Sequence, residues 1–550
     1  MSLPKIKLEH VFLLIIFATL LQTGVSNLWD NKLSHDYPYS YLAGDAFQHW
    51  VRTDGIKDTE SYKTRAPFQS YGYEDVIGDY PPIIFHLAII FSDLSGLETY
   101  DTILLIVFLA AISAAFLTYL IIKDYNKHIA IISLPFSLLI FSGAAYTGFT
   151  WGHWPSLLAQ FFLLGIVWAM KNIDLKKSYL LISIFFIATF LTHTSEAIIG
   201  FLFIAFFLLI TIYEKTKIKE RIKTSVIAGI ISLVIISYYF FIFQNTWAKG
   251  QAYSFSVVKA AGGSPTVQMA MFGILAFILL TGFIISLILL FQKKSHIATT
   301  AAIFFMIMGY TNYIGFHSRA FQLRYFWPIY LSIFIGLPLY YGLKTVLKKY
   351  NVYYSYTISI LLLLVFLNTM GVASALSLPH YERFSSPGMM DPYHWDAYTW
   401  IQENTPEDTK LLFLYGDQFG QTNYILSVKR VPYKIDENDY FNTLQANPTQ
   451  RDYLINIYGD NVNWYPYWGG FLKVNYHLKE TDEFRHGQRF DICDFDYYIY
   501  DTVSRDDRLP QFNKLITDNF RNHGMEDVFT NRIVSVMKNN NRGEDCVGQN

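Results

Sequence analysis

About eleven separate stretches within residues 1–376 are apolar over ~20 residues each, the helix length that crosses a ~30 Å hydrocarbon core. Lipid offers no partner to a bare backbone, so each stretch must fold as a helix that satisfies its own hydrogen bonds. The blocks run roughly 11–28, 101–122, 128–146, 150–170, 178–193, 195–213, 224–244, 267–291, 297–314, 326–343 and 352–375. Residues 377–550 hold no run of that length. The expected fold class is therefore a polytopic α-helical membrane protein, residues 1–376, followed by an extracytoplasmic α/β domain, residues 377–550.

Orientation follows from where the lysines and arginines fall. Lys5 and Lys7 precede the first block; Lys123 and Lys127 follow the second, and Lys171, Lys176 and Lys177 the fourth. Lys215, Lys217, Lys219, Arg221 and Lys223 follow the sixth, Lys293 and Lys294 the eighth, and Lys344, Lys348 and Lys349 the tenth. With eleven crossings every cluster lies on one side. The N-terminus is then cytoplasmic and the C-terminal domain outside. No small-residue cleavage site follows the first block, so it reads as a helix and not as a signal peptide. The segment 81–97 is apolar but short and opens with Pro81-Pro82. A crossing there would invert every later loop, so it reads as an interfacial or re-entrant helix.

Only 16% of the chain is charged, against about 25% in a soluble domain. The formal net charge of −1 leaves no electrostatic footprint for nucleic acid. Cys493 and Cys546 are the only cysteines. An outward-facing domain permits a disulfide between them; two unpaired thiols are the equal alternative.

The outer turns differ from the lysine-rich inner ones. The first outer loop, 29–100, carries Asp45, His49 and Arg52 at i, i+4 and i+7, which is one face of a helix. "YTGFTWGHW" adds His153, "LTHTSEA" adds His193 and Glu196, and "GFHSRAFQLRYFWP" adds His317, Arg319 and Arg324. A lone histidine at a helix end is ordinarily a hydrogen-bonded or snorkelling residue, and the arginines could equally grip lipid headgroups. Acid, base and cation from four loops on one face instead mark a site. Carboxylates supply a base or a metal ligand, and arginines match phosphate oxygens bidentately. A substrate with its chain in the bilayer and its phosphate at this level fits, which points to group transfer from a lipid-linked donor.

Several residues carry a family likeness. Asp45 lies in "GDAFQHW" of a long first outer loop, Tyr80-Pro81-Pro82 ends that loop, and "RAFQLRYFWP" opens a late helix. "WIQENTP", Trp400–Pro406, resembles the start of the outer domain of oligosaccharyltransferase catalytic subunits. The chain thus resembles the GT-C superfamily of integral-membrane glycosyltransferases, which use polyprenyl-phosphate-linked sugars. The resemblance implies a glycan or protein acceptor, Asp45 as base or acceptor-orienting carboxylate, and a divalent ion (Mg or Mn) held at Asp45. It implies Arg319 and Arg324 as phosphate ligands. His49 and Glu196 join Asp45 as catalytic candidates, and His153, His193, His317 and Arg52 as substrate-binding ones. The pattern also departs from the family. No WWD motif follows "NTPED", which reads "LYGDQFGQTNY", and "FTWGHW" offers His153 where a second acidic motif is expected. A transporter or lipid flippase is the alternative from another class; it predicts midplane charges and internal repeats.

In the C-terminal domain "KLLFLY" (410–415), "DYYIY" (496–500) and "RIVSVM" (532–537) read as strands. Arg508–Gly524 reads as a helix closed by glycine. Trp464, Tyr465, Tyr467 and Trp468 form either core or a sugar-stacking platform.

Overall fold

Each apolar block is met by a helix. In chain order the helices are α1 (Leu8–Trp29), α2 (Gly44–Thr59), α3 (Ile83–Ser95), α4 (Thr99–Tyr125), α5 (Lys127–Ser133), α6 (Gly143–Thr150), α7 (Trp154–Lys171), α8 (Ser178–Phe190) and α9 (Thr194–Glu214). There follow α10 (Ile218–Lys249), α11 (Leu275–Phe291), α12 (Ile297–Tyr310), α13 (Arg319–Gln322), α14 (Trp327–Tyr330), α15 (Ser332–Val346), α16 (Val352–Phe366) and α17 (Pro392–Asn404). The structure, a computed structural model, describes residues 7–41, 44–61, 77–78, 81–141, 143–249, 272–273, 275–314, 319–347, 349–367, 390–414, 428–434, 457–458, 472–473, 489–490, 493, 495–503, 513–514, 517–518 and 520–542. The expected domain junction at 376/377 lies outside these residues, as do Trp464, Tyr465, Tyr467 and Trp468.

Among the described residues seven helical segments are long and apolar enough to cross a membrane, and five shorter apolar helices accompany them. Two blocks are not the single helices expected. Residues 128–146 begin as α5, tighten into a 3₁₀ stretch over Leu134–Phe141 and restart as α6. Pro135 lacks the N–H an α-helix needs there. Around the tenth block the backbone passes through α13, a 3₁₀ turn at Leu323–Phe326, α14 and α15, with Pro328 opening α14 and Pro338 inside α15. The 13 residues of α3 span only about 20 Å, short of a bilayer core.

The basic clusters share one end of the bundle. Glu9 near the start of α1 meets Lys127 at 2.8 Å and also Lys123 at the end of α4. Asp124 meets Lys171 at 3.2 Å and His296 at 3.5 Å, while Asp174 meets Arg221 at 3.0 Å. The opposite end is tied by Trp29 Nε1 donating to Asp101 (3.2 Å), Tyr146 Oη to the Asn27 carbonyl (2.8 Å) and Ile83 N to the Leu191 carbonyl (3.1 Å). Between the ends small residues let helices touch. At Gly282 of α11 a Cβ would lie 1.8 Å from the Phe334 carbonyl oxygen of α15.

The C-terminal domain begins with α17, whose N-terminal N–H groups at Tyr393 and His394 are capped by the Asp391 carboxylate. Its strands are β1 (Lys410–Phe413), β2 (Val431–Lys434), β3 (Tyr497–Asp501), β4 (Glu526–Thr530) and β5 (Val534–Lys538). They form one mixed sheet of order β2-β1-β3-β5-β4. β1 lies parallel to β2 and β3, and β5 runs antiparallel to β3 and β4. The three expected strands are β1, β3 and β5. Helical residues also occur within 513–522, and Gly524 ends them at φ 84°, the left-handed conformation of a C-cap. Ile77–Gly78 pairs with Leu472–Lys473, which ties the loop between α2 and α3 to the C-terminal domain. Cys493 is disulfide-bonded; Cys546, the other cysteine, lies outside the described residues.

Candidate functional site

The helix expected from the spacing of Asp45, His49 and Arg52 is present as α2, with Asp45 in its first turn. His49 and Arg52 are buried, so the face they share with Asp45 turns into the protein. The His49 ring lies 6.0 Å from Phe85 of α3 and 6.2 Å from Trp154 of α7, centroid to centroid. A loop helix thus sits against α3 and the start of α7.

Gly152 sets how closely it sits. Its φ of 78° is left-handed, and a Cβ there would come within 2.1 Å of Ala46 N and 2.5 Å of the Asp45 carbonyl carbon. Only glycine meets both demands. The next residue, His153, is thereby placed with Nδ1 3.9 Å from Asp45 Oδ2. Both side chains keep some exposure, 16% and 28%, so a substrate can reach them. At 3.9 Å the two are not hydrogen-bonded to each other. The His153 ring stacks on Tyr325 at 5.2 Å, which holds its plane.

Behind this pair runs a buried polar chain. Gln322 Nε2 lies 3.0 Å from His153 Nδ1. With the amide nitrogen donating, Nδ1 accepts and a neutral imidazole carries its ring proton on Nε2. Gln160 Nε2 donates to the Gln322 carbonyl and to Ser156 Oγ, each at 3.2 Å. Ser156 Oγ donates in turn to one oxygen of Glu196, whose other oxygen contacts His193 Nδ1. Glu196 is fully buried, and it persists there because both carboxylate oxygens have partners. Asp45, His153, His193 and Glu196, read from three separate loops, therefore belong to one connected cluster. Ser156, Gln160 and Gln322 were not anticipated. The signal for Gln160 was a lone amide within the apolar run "SLLAQFFLLG".

Arg324, expected as a phosphate ligand, lies inside the protein. It is fully buried, with Nε donating to the Gly309 carbonyl (2.7 Å) and Nη2 to Asn312 Oδ1 (2.6 Å). The rings of Phe321, Tyr310, Tyr313 and Trp327 surround the guanidinium at 4.8–5.7 Å. The hydrogen-bonding fork of Arg324 thus binds the end of α12 to the turn after α13. Arg319 opens α13, while His317 lies outside the described residues.

Mg and Mn take about six oxygen ligands, several of them commonly supplied by water and substrate phosphate. Among the described residues no group of three His, Cys, Asp or Glu side chains is placed to hold a metal ion. The Asp45–His153 pair offers one carboxylate, and Glu74, Asp75 and Asp79 of the same loop lie outside the described residues.

No protein-family model and no curated protein sequence matches this chain. Solved structures do. One is the archaeal oligosaccharyltransferase AglB from Archaeoglobus fulgidus, in complex with an inhibitory peptide and a dolichol-phosphate. It matches with TM-score 0.58 and 13% identity over 92% of this chain and 72% of that one. ArnT from Cupriavidus metallidurans, bound to undecaprenyl phosphate, matches with TM-score 0.57 and 11% identity over 98% and 99% of the two chains. At such identities the likeness is one of fold alone.

Proposed function

We propose that this chain is a membrane glycosyltransferase, moving a sugar from a polyprenyl-phosphate or -pyrophosphate carrier to an acceptor on the non-cytoplasmic face. One observation carries the reading: Asp45 and His153 meet, partly exposed, at the bundle end opposite the basic clusters. Two GT-C proteins of the same fold were solved with polyprenyl-type phosphates, which supports a donor of that class here. The lysines gathered at the other end support a cytoplasmic assignment for that end. The disulfide at Cys493 suits an oxidising outer compartment for the C-terminal domain, residues 377–550.

In the step we infer, the acceptor hydroxyl gives its proton to the Asp45 carboxylate as its oxygen bonds to the anomeric carbon of the sugar. The bond from that carbon to the carrier phosphate breaks, and the phosphate leaves with the electron pair. His153, held in plane by Tyr325 and at Nδ1 by Gln322, presents its Nε2–H as a donor to sugar or phosphate oxygen. Glu196 and His193 support this wall through Ser156 and Gln160. Arg319 remains the proposed phosphate ligand, and Arg324 holds the turn that carries it.

The test is transfer by the purified protein in nanodiscs, with a polyprenyl-phosphate sugar as donor and product read by mass spectrometry. Lipid-linked sugar should also accumulate when the gene is deleted. Transfer of a glycan to a sequon peptide would move the reading to protein N-glycosylation. Lipid-linked flux into proteoliposomes by the Asp45→Asn protein, without any transfer, would replace it with transport.

A further inference from the structure

Among the described residues the C-terminal domain touches α2, the helix that carries Asp45, at two places. The first is aromatic. Trp395 of α17 packs against Trp50 of α2 at 5.6 Å and Tyr100 of α4 at 5.9 Å. The second is ionic. Lys429 Nζ, from the turn just before β2, lies 2.9 Å from Asp58 Oδ2 and 3.5 Å from Asp54 Oδ2.

Lys429 is built into this place. Its φ of 51° is left-handed, a conformation that costs a non-glycine residue free energy and persists only when its surroundings impose it. Arg430 imposes it, donating from Nε to Thr405 Oγ1 (3.0 Å) and from Nη2 to the carbonyls of Gln402 (2.6 Å) and Thr405 (2.7 Å) at the end of α17. On the other side, burial pushes the Asp54 carboxyl up, while Lys429 and the hydroxyl of Thr99 draw it back. Among the described residues Lys429 is the cation that compensates this largely buried acid. Asp54 stands nine residues after Asp45 on one helix, so whatever fixes Asp54 fixes the axial position and rotation of Asp45.

We propose that Lys429 is a positioning residue, which sets α2, and with it Asp45, by holding Asp54 and Asp58 against the C-terminal domain. The domain is then part of the catalytic geometry and not only a cover. This rests on the reading of Asp45 as the reacting carboxylate.

The experiment compares the full-length protein with its Lys429→Met and Lys429→Arg variants, in two measurements. Hydrogen exchange over residues 44–59 should quicken ~10-fold in Lys429→Met, as local opening becomes easier. The kcat for sugar transfer should fall ~10-fold with KM for donor and acceptor within about twofold, since the reacting group is displaced and binding is not. Lys429→Arg should restore both. Unchanged exchange and kcat in Lys429→Met overturn the proposal. Faster exchange at unchanged kcat overturns it too, leaving a contact that only stabilises. If the unaltered protein transfers no sugar, the functional reading fails on that result, while the exchange measurement still decides whether Lys429 holds α2.

Discussion

Asp45 and His153 face each other at 3.9 Å, although one lies in the first turn of α2 and the other caps the start of α7. The two residues divide the work. A carboxylate at the partly open end of α2 can take a proton, whereas His153 is oriented by Gln322 and Tyr325. Asp45→Asn keeps size and removes the charge, so turnover should fall roughly 100-fold or more with the fold intact. His153→Gln keeps a donor and should lose less, about 10-fold. Transfer assays on both variants check this, and near-normal turnover in Asp45→Asn would remove that residue from the site.

What the sequence showed and hid follows from range. A run such as Thr99–Tyr125 announces its helix locally, because lipid forbids any other state for it. The i, i+4, i+7 spacing of Asp45, His49 and Arg52 is local too, and α2 is there. Which loop residues meet across the bundle is not local. Nothing near Glu196 points to Ser156, nor anything near His153 to Gln322, since each contact is made by packing two helices distant in sequence. Arg324 shows the same limit from the other direction. Its arginine-rich turn resembled a phosphate grip, but the ring of aromatic residues that buries it comes from two segments brought together only by folding.

Gly152 is expected to be intolerant of even one carbon. Gly152→Ala must hold a left-handed residue, at a cost of about 1–2 kcal/mol, and push α2 away, because the new Cβ would overlap Ala46 N. Transfer should drop at least ~10-fold as the Asp45–His153 geometry opens, with a lower melting temperature in the same preparation. An alanine variant with both unchanged would show that the approach of α2 to this turn is not a constraint.

The C-terminal domain carries its own pH dependence. His394 Nδ1 lies 2.6 Å from Asp391 and Nε2 2.9 Å from Asp501, joining the start of α17 to β3. Burial pushes this imidazole down, but the charges of Asp501 and Asp391 outweigh it and hold its pKa up at about 10. A folded pKa above the unfolded value of about 6.5 stabilises fully below pH 6.5 and loses that stabilisation as pH rises through about 10. The melting temperature should therefore decline between about pH 6.5 and about pH 10. His394→Asn should be destabilised by about 3–5 kcal/mol at neutral pH, with two carboxylates left facing one another, and its decline should be shallower. Parallel curves for the two proteins would dissociate the pH effect from His394.

Topology is the cheapest premise to test. Cysteines placed singly at Lys217, on the basic end, and at Glu403, on the exposed side of α17, should label from opposite sides of an intact membrane. A membrane-impermeant maleimide applied before and after permeabilisation reads this directly. Same-side labelling would dissolve the assignment of the basic end to the cytoplasm, and the outer placement of Asp45 with it.

Arg324 offers a choice between two roles that lysine separates. A phosphate ligand exchanged for lysine loses rate, because the planar fork matches phosphate and a point charge does not. An internal brace exchanged for lysine loses stability, because one ammonium cannot reach the Gly309 carbonyl and Asn312 Oδ1 as a planar fork does. Losing one charged hydrogen bond in the interior costs about 1.5–3 kcal/mol, and the aromatic contacts weaken with it. We expect Arg324→Lys to lower the melting temperature by several degrees, with lost transfer following the lost fold. A donor analogue should then protect wild type and variant by the same increment. If instead the variant melts like wild type, binds donor poorly and transfers ~30-fold more slowly or worse, Arg324 reaches the phosphate in the working enzyme. The guanidinium would then have to leave Asn312 when donor binds, and Asn312→Ala should ease that exchange and raise donor affinity.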